Sequence, residues 1–234
     1  GILNGTTNYI LSQMTETGVN YANALADAQK QGFAEADPTN DVCGFDAARK
    51  LAILSSIGFR ANVTFDDVLV EGIEKIDKSD IQYAKDMGYT IKLLTVALRQ
   101  ENGIALNVYP AFLPDNHPLS SVKGAYNAIY VTGNIVDDVM FYGRGAGALP
   151  TASAVMGDVI STAQHILNGS TGTGMIMTDT KRIPFYSSLK LQNSYYFRLD
   201  VDDVTGVLSQ IAAAFAENGI SICEVVQKRK TKGL

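Results

Sequence analysis

Apolar and polar positions along this chain follow two rhythms, and the points where one gives way to the other divide it into elements. Tyr9, Ile10 and Met14 recur at the spacing of one helical face, with Thr6 or Thr7 placed to cap that helix and Gly18 to end it. Asn20 caps a second helix carrying Ala24, Leu25 and Ala28, and Gly32 stands where a left-handed terminator is needed. A loop rich in carboxylates, broken by Pro38 and Gly44, leads into a third helix from Asp46 to Ile57. Its inner stripe is expected to be Leu51, Leu54 and Ile57, with Gly58 as the stop. Thr64-Phe65-Asp66-Asp67 has a capping-box pattern that predicts a helix through about Ile73. Ser79-Asp80-Ile81-Gln82 opens another, which Gly88 closes.

The rhythm then shortens. Tyr89 to Arg99, rich in Thr, Ile, Leu and Val, reads as a strand, with Gly103 to Leu113 as its partner across a turn at Gln100-Glu101-Asn102. His117, before Pro118, reads as a turn residue opening a short helix. Ala125 to Thr132 and Ile135 to Tyr142 form a second strand pair around Gly133-Asn134. Hairpins set between helices predict an α+β fold, a mixed sheet with flanking helices. Pro150, suited to a first helical turn, enters a helix to about Leu167.

The expected organisation is a first domain over residues 1–167, a connector over 168–192 and a small unit over 193–234. Gly, Ser and Thr dominate the connector as far as Lys181, and beyond it Ile183, Phe185 and Tyr186 are candidates to pack on the first domain. In the small unit, Tyr195 to Val201 reads as a strand and Asp202 to Leu208 as a turn entering a helix. That helix has Leu208, Ile211, Ala212 and Phe215 as its stripe, and Ile220 to Val226 follows as a second strand.

Composition narrows the class without deciding it. The chain is 46% hydrophobic and 18% charged, as a soluble globular protein is. Its net charge of -5 supplies no basic field for nucleic acid. No apolar run approaches the roughly 20 residues of a membrane helix. Cys43 and Cys223 lie far apart without metal-ligand spacing and read as reduced thiols of a cytoplasmic protein, so no metal site is expected. The chain opens on Gly1 within a motif and stops just after a strand pattern, which suggests a piece of a longer protein.

Candidate chemistry gathers between Gly32 and Lys50. Asp46 and Lys50 are four residues apart on one helix and so share a face, and Glu35 and Asp41 lie in the loop before them. A lysine beside a carboxylate can trade a proton with a hydroxyl or carbonyl group. The same spacing also describes a solvated helix salt bridge. A second cluster, Gly143-x-Gly145-x-Gly147 before Pro150, is either a tight turn or a loop whose free amides attract an anion. It lacks the spacing and the βαβ setting of a dinucleotide fingerprint.

Glu35-Ala36-Asp37-Pro38, a short acidic bridge and then Gly44-Phe45-Asp46-Ala47-Ala48-Arg49-Lys50-Leu51 resembles the catalytic segment of homoserine dehydrogenases. Gly1-Ile2-Leu3-Asn4-Gly5-Thr6-Thr7-Asn8-Tyr9-Ile10-Leu11 resembles the start of that family's catalytic domain. Gly143 to Gly147, followed by Pro150-Thr151-Ala152-Ser153, resembles a third family segment. The three blocks stand in the family's order over about the first 165 residues. The strand, D-x-x-G-V-L turn and helix near the end resemble the first half of an ACT domain, a ferredoxin-like amino-acid sensor.

The resemblance implies a catalytic and dimerisation domain over 1–167 and a partial β-α-β ACT unit over 193–234. It implies reversible, NAD(P)-dependent interconversion of L-homoserine and L-aspartate 4-semialdehyde, on the route to threonine and methionine. Lys50 would transfer the proton and Asp46 would orient it and the substrate. Glu35 would accept from the substrate ammonium, Asp41 would assist, and Thr6 would meet the substrate carboxylate. Gly32, Gly145 and Gly147 would let cofactor or substrate approach the backbone. NADP or NAD would be held mainly by a nucleotide-binding domain that these residues do not include, along with a second active-site lysine and a metal-ion loop. The resemblance therefore implies a fragment inactive by itself, a homodimer or higher oligomer, and threonine as a possible effector. The competing reading from another class is a non-catalytic amino-acid-binding regulatory module with a dehydrogenase-like core. Convergence of Glu35, Asp46 and Lys50 on one point would separate the two.

Overall fold

The computed structural model describes residues 1–101, 103–170, 183–186 and 193–228. The chain divides into two compact units, Gly1–Gln192 and Asn193–Leu234. The first unit opens with helices α1 (Gly5–Thr17), α2 (Tyr21–Lys30), α3 (Thr39–Val42) and α4 (Phe45–Phe59). Strand β1 (Leu69–Val70), helix α5 (Lys78–Asp86) and strands β2 (Tyr89–Gln100) and β3 (Gly103–Pro114) follow. Strands β4 (Tyr126–Gly133) and β5 (Asp137–Arg144) and helix α6 (Ala148–Leu167) complete it.

β2 and β3 pair antiparallel along their whole length, and β1 adds parallel to the other edge of β3, which makes the sheet mixed as expected. β4 and β5 form a separate antiparallel ribbon. Residues Gly1 to Leu3 stitch the two together. Thr95 N–H on β2 donates to the Gly1 carbonyl at 2.9 Å, and Ile2 exchanges two bonds with Ala128 on β4 at 2.7 and 3.0 Å.

The strand alternation sorts side chains into two cores. Ile91, Leu93, Ile104, Leu106 and Val108 face a large core with Ile10, Leu11 and Met14 of α1 and Ala47, Ala48 and Leu51 of α4. Leu94 and Leu113 face a smaller one with Ile2, Leu119, Val122 and Ala128. Among the described residues α6 buries none of its side chains, leaving Val155, Met156, Val159 and Ile160 exposed. No described helix is long and apolar enough to cross a membrane.

Several expectations shift. The inner stripe of α4 is Ala47, Ala48, Leu51, Ala52 and Ser55, while Leu54 and Ile57 face outward. The small residues let the α4 backbone lie close to the core, and this sets the helix phase against its larger side chains. Gly58 does not stop α4, which ends instead at Arg60 in the left-handed region. The Thr64–Asp67 capping box forms, but only a 3-10 turn follows it, because Leu69 and Val70 gain partners on β3. The β4–β5 ladder closes at Gly133 and Asp137, so Ile135 and Val136 are exposed loop residues rather than strand. The short helix after His117 forms as a 3-10 turn. Ile183 packs on the large core, and Phe185 bridges Ile104. Asn102, and residues 171–182 and 187–192 of the connector, lie outside the described residues.

In the second unit the expected helix forms as α7 (Val207–Glu217). Neither flanking segment is a strand among the described residues, and Tyr195, Phe197, Leu199, Ile220 and Val225 are exposed. Ile211 and Phe215 are half-buried, with Phe215 edge-on to Phe197, but Leu208 and Ala212 are exposed. Two strands without further neighbours or covered faces are marginal in water, which accounts for a helix forming here without them.

One buried charge makes the fold respond to pH. Lys92 on β2 is fully buried and donates to Asn8 Oδ1 at 2.9 Å and to the Val122 carbonyl at 2.6 Å. Burial pushes its pKa down to about 8; Glu16 opposes the shift and Lys123 adds to it. An exposed lysine titrates near 10.4, so between roughly pH 8 and pH 10 the unfolded chain binds more protons than the folded one. The burial penalty is therefore fully present below pH 8 and is relieved as pH rises. The raised Cys43 thiol opposes this above about pH 9, so urea unfolding of the chain should show stability rising from about pH 8 to pH 9, and Lys92→Met should remove that rise.

Candidate functional site

α1 begins where Asn4 caps it, not at Thr6 or Thr7. Asn4 Oδ1 accepts from the Thr7 N–H at 2.8 Å and from the Thr7 hydroxyl at 2.9 Å. A backbone N–H can only donate, so the Asn4 oxygen must face it and the amide nitrogen must point away. That nitrogen donates to Asp41 Oδ1 at 2.7 Å and to Asp46 Oδ2 at 2.9 Å. The buried Asn4 thus satisfies a helix end and joins two carboxylates from separate elements.

Lys50 reaches the same place from one turn further along α4. Its Nζ lies 2.7 Å from Asp46 Oδ2 and 3.2 Å from the Leu3 carbonyl. An ammonium carries three donors, and two are accounted for. The Lys50 and Asp46 side chains are 47% and 32% exposed, so the pair contributes little to stability and its importance is positional.

The glycine loop arrives through Asn127 on β4, whose Nδ2 also donates to the Leu3 carbonyl, at 2.9 Å. A Cβ on Gly145 would stand 2.7 Å from that nitrogen, so only glycine lets the loop lie against Asn127. The three motif blocks meet at the Leu3–Asn4 peptide.

Not every expected residue joins the cluster by direct bonds. Thr6 is buried and its hydroxyl donates to the Phe33 carbonyl at 2.6 Å, which ties α1 to the loop after α2 instead of offering that group to a ligand. Glu35 is exposed in that loop. Its main-chain carbonyl accepts from Gln29 at 3.0 Å, and its carboxylate has no hydrogen bond or ion pair among the described residues. Gly32 follows the end of α2 with φ +75, as expected of a terminator, and nothing lies within 4 Å of a Cβ built there. Gly147 precedes α6 with φ +118, and a Cβ there would meet only the Pro150 ring.

Sequence reasoning missed Asn4 and Asn127. Asn4 carried a signal, since asparagine before a helical stripe is a preferred cap. Asn127 carried none, because its partner is 124 positions away. Cys43, between α3 and α4, donates its thiol to Glu74 at 3.0 Å. That carboxylate and partial burial push the thiol pKa up to about 11, which excludes a thiolate nucleophile at neutral pH.

A family model described as homoserine dehydrogenase matches residues 1–160. The chain belongs to the homoserine dehydrogenase family. The homoserine dehydrogenase of Mycobacterium tuberculosis is 48% identical over 233 residues, covering 97% of this chain and 52% of that protein. A solved homoserine dehydrogenase from Thiobacillus denitrificans superposes with a TM-score of 0.87 at 38% identity, over 96% of this chain and 53% of its own. A hyperthermophilic archaeal homoserine dehydrogenase mutant in complex with NADPH matches with a TM-score of 0.56 at 29% identity, over 70% of this chain and 46% of its own. The chain spans about half the length of the family members it matches.

Membership turns attention to what holds the cluster in register, and Asn4 is the shared joint. Asn4→Ala should lower the unfolding free energy by about 1–2 kcal/mol, through the lost cap and the two lost carboxylate bonds. Urea denaturation of the two chains measures it.

Proposed function

We propose that this chain supplies the substrate-binding and proton-transfer half of an NAD(P)-dependent homoserine dehydrogenase, interconverting L-homoserine and L-aspartate 4-semialdehyde. The observation that carries the reading is Lys50, held by Asp46 and the Leu3 carbonyl with one donor left for a substrate oxygen.

Oxidising an alcohol to an aldehyde removes a proton from oxygen and a hydride from carbon. Lys50 takes the proton as a neutral amine, or returns it as an ammonium in the reverse direction. Asp46 keeps Nζ in one place, and Asn4 in turn fixes Asp46. Glu35 and Asp41 are carboxylates with oxygens to spare for a substrate ammonium, and Glu35 sits on the loop that Thr6 anchors through Phe33. Of the three discriminating residues Asp46 and Lys50 meet and Glu35 stands apart, and the positioned lysine, for which a non-catalytic module has no need, favours the dehydrogenase.

A bound nicotinamide supplies the hydride acceptor and donor. The residues here that fit beside it are Gly145 and Gly147, whose exposed loop offers bare backbone next to Asn127, and Gly32, where the space around the backbone is open.

The test joins this chain to the rest of the length that the relatives carry and follows nicotinamide reduction with homoserine. The completed protein should turn over, and the chain by itself should not. Lys50→Ala should lower kcat by about 10²–10⁴-fold with an unchanged melting temperature. Undiminished activity in that variant would overturn Lys50's role.

A further inference from the structure

A second polar cluster lies on α1 one turn beyond Asn4, and the proposed chemistry makes no use of it. Asn8 is buried, and its Nδ2 reaches three carbonyls of one passing segment: Val122 at 3.1 Å, Gly124 at 2.8 Å and Tyr126 at 3.2 Å. Three acceptors around one amide nitrogen fix which way the side chain faces, and the buried Lys92 confirms it by donating to Asn8 Oδ1. Lys92 also donates to the Val122 carbonyl, so the two residues grip the segment together.

The segment they grip leads directly to the site. Tyr126, held by Asn8, and Ala128, held by Ile2, flank Asn127 on β4. Asn127 is the residue whose amide meets the Leu3 carbonyl that Lys50 also uses, and against which Gly145 lies. Asn127 is thus fastened on both sides, by a backbone bridge at one neighbour and by a buried side chain at the other. Asn4 and Asn8 share a face of α1, so the same helix positions Asp46 from its first turn and Asn127 from its second.

We propose that Asn8, oriented by Lys92, is a positioning residue that sets Asn127 on the Leu3 carbonyl and thereby places the Lys50 amine and the Gly145 loop. The proposal rests on the dehydrogenase reading for its kinetic consequence, but not for its structural one. Lys92 is surrounded by Asn8 and the Val122 carbonyl, with Glu16 and Lys123 as the nearby charges, themselves paired at 3.0 Å. A neutral amine still has two donors for the two acceptors seen, so the grip persists when Lys92 loses its proton.

Asn8→Asp keeps the oxygen that Lys92 needs and removes the amide that holds the segment. In the completed protein it should lower kcat for homoserine oxidation about tenfold or more, with KM changed less than kcat. In this chain it should shift the Asn127 side-chain amide resonances in an ¹⁵N–¹H spectrum. Lys92→Met, which removes the bond to the Val122 carbonyl and leaves Asn8 Oδ1 without its donor, should move the same resonances and serves if Asn8→Asp does not fold. Unmoved Asn127 resonances in a folded variant overturn the proposal, as does a kcat loss no larger than the loss of folded protein. If the wild-type completed protein shows no homoserine oxidation, the dehydrogenase reading fails, and the Asn127 resonances alone decide the positioning role.

Discussion

One peptide unit, Leu3–Asn4, carries the architecture of the site. Its carbonyl receives Lys50 from α4 and Asn127 from β4, and the Asn4 side chain caps α1 while holding Asp41 and Asp46. Apart from the local cap, these bonds span 37 to 124 positions of sequence, so they form only when the helices and both sheets are in place. Gly1 and Ile2, immediately before, bond to β2 and β4 and fix the height of that peptide against the sheets. The proton transfer proposed for Lys50 would therefore rest on backbone geometry rather than on the strength of a partly exposed ion pair.

Packing supports the same point from beneath. Ala47, Ala48 and Ala52 bring α4 close to the large core, which presents Asp46 and Lys50 at its rim. Gly72 supplies a second restraint, since a Cβ there would stand 2.2 Å from the Val42 carbonyl and 2.6 Å from Cys43 Cα. The turn between α3 and α4 thus rests directly on backbone, and Ile73 N–H donates to Val42 at 2.8 Å. Asp41 and Asp46 lie at the two ends of that turn.

Local rules read much of this from sequence. The Asp46–Lys50 spacing declared a shared face, the Val- and Thr-rich runs declared β2 and β3, and Gly18, Asn20 and Gly32 marked helix ends that formed. Reasoning failed where a distant partner decided the outcome. The α4 stripe was misread because small residues, not large ones, face the core. Leu69 and Val70 left a helical pattern for a place beside β3. Thr6 belonged to the motif, yet its hydroxyl donates to the Phe33 carbonyl. Asn8, Lys92 and Asn127 make contacts that periodicity does not encode.

The most direct measurement is the distance from Lys50 Nζ to the substrate hydroxyl in a crystal of the completed protein with homoserine. Proton transfer by Lys50 predicts a hydrogen bond of roughly 2.6–3.2 Å, with Asp46 and the Leu3 carbonyl still bound to the amine. A homoserine hydroxyl held by another residue, with Lys50 turned to solvent, would contradict it.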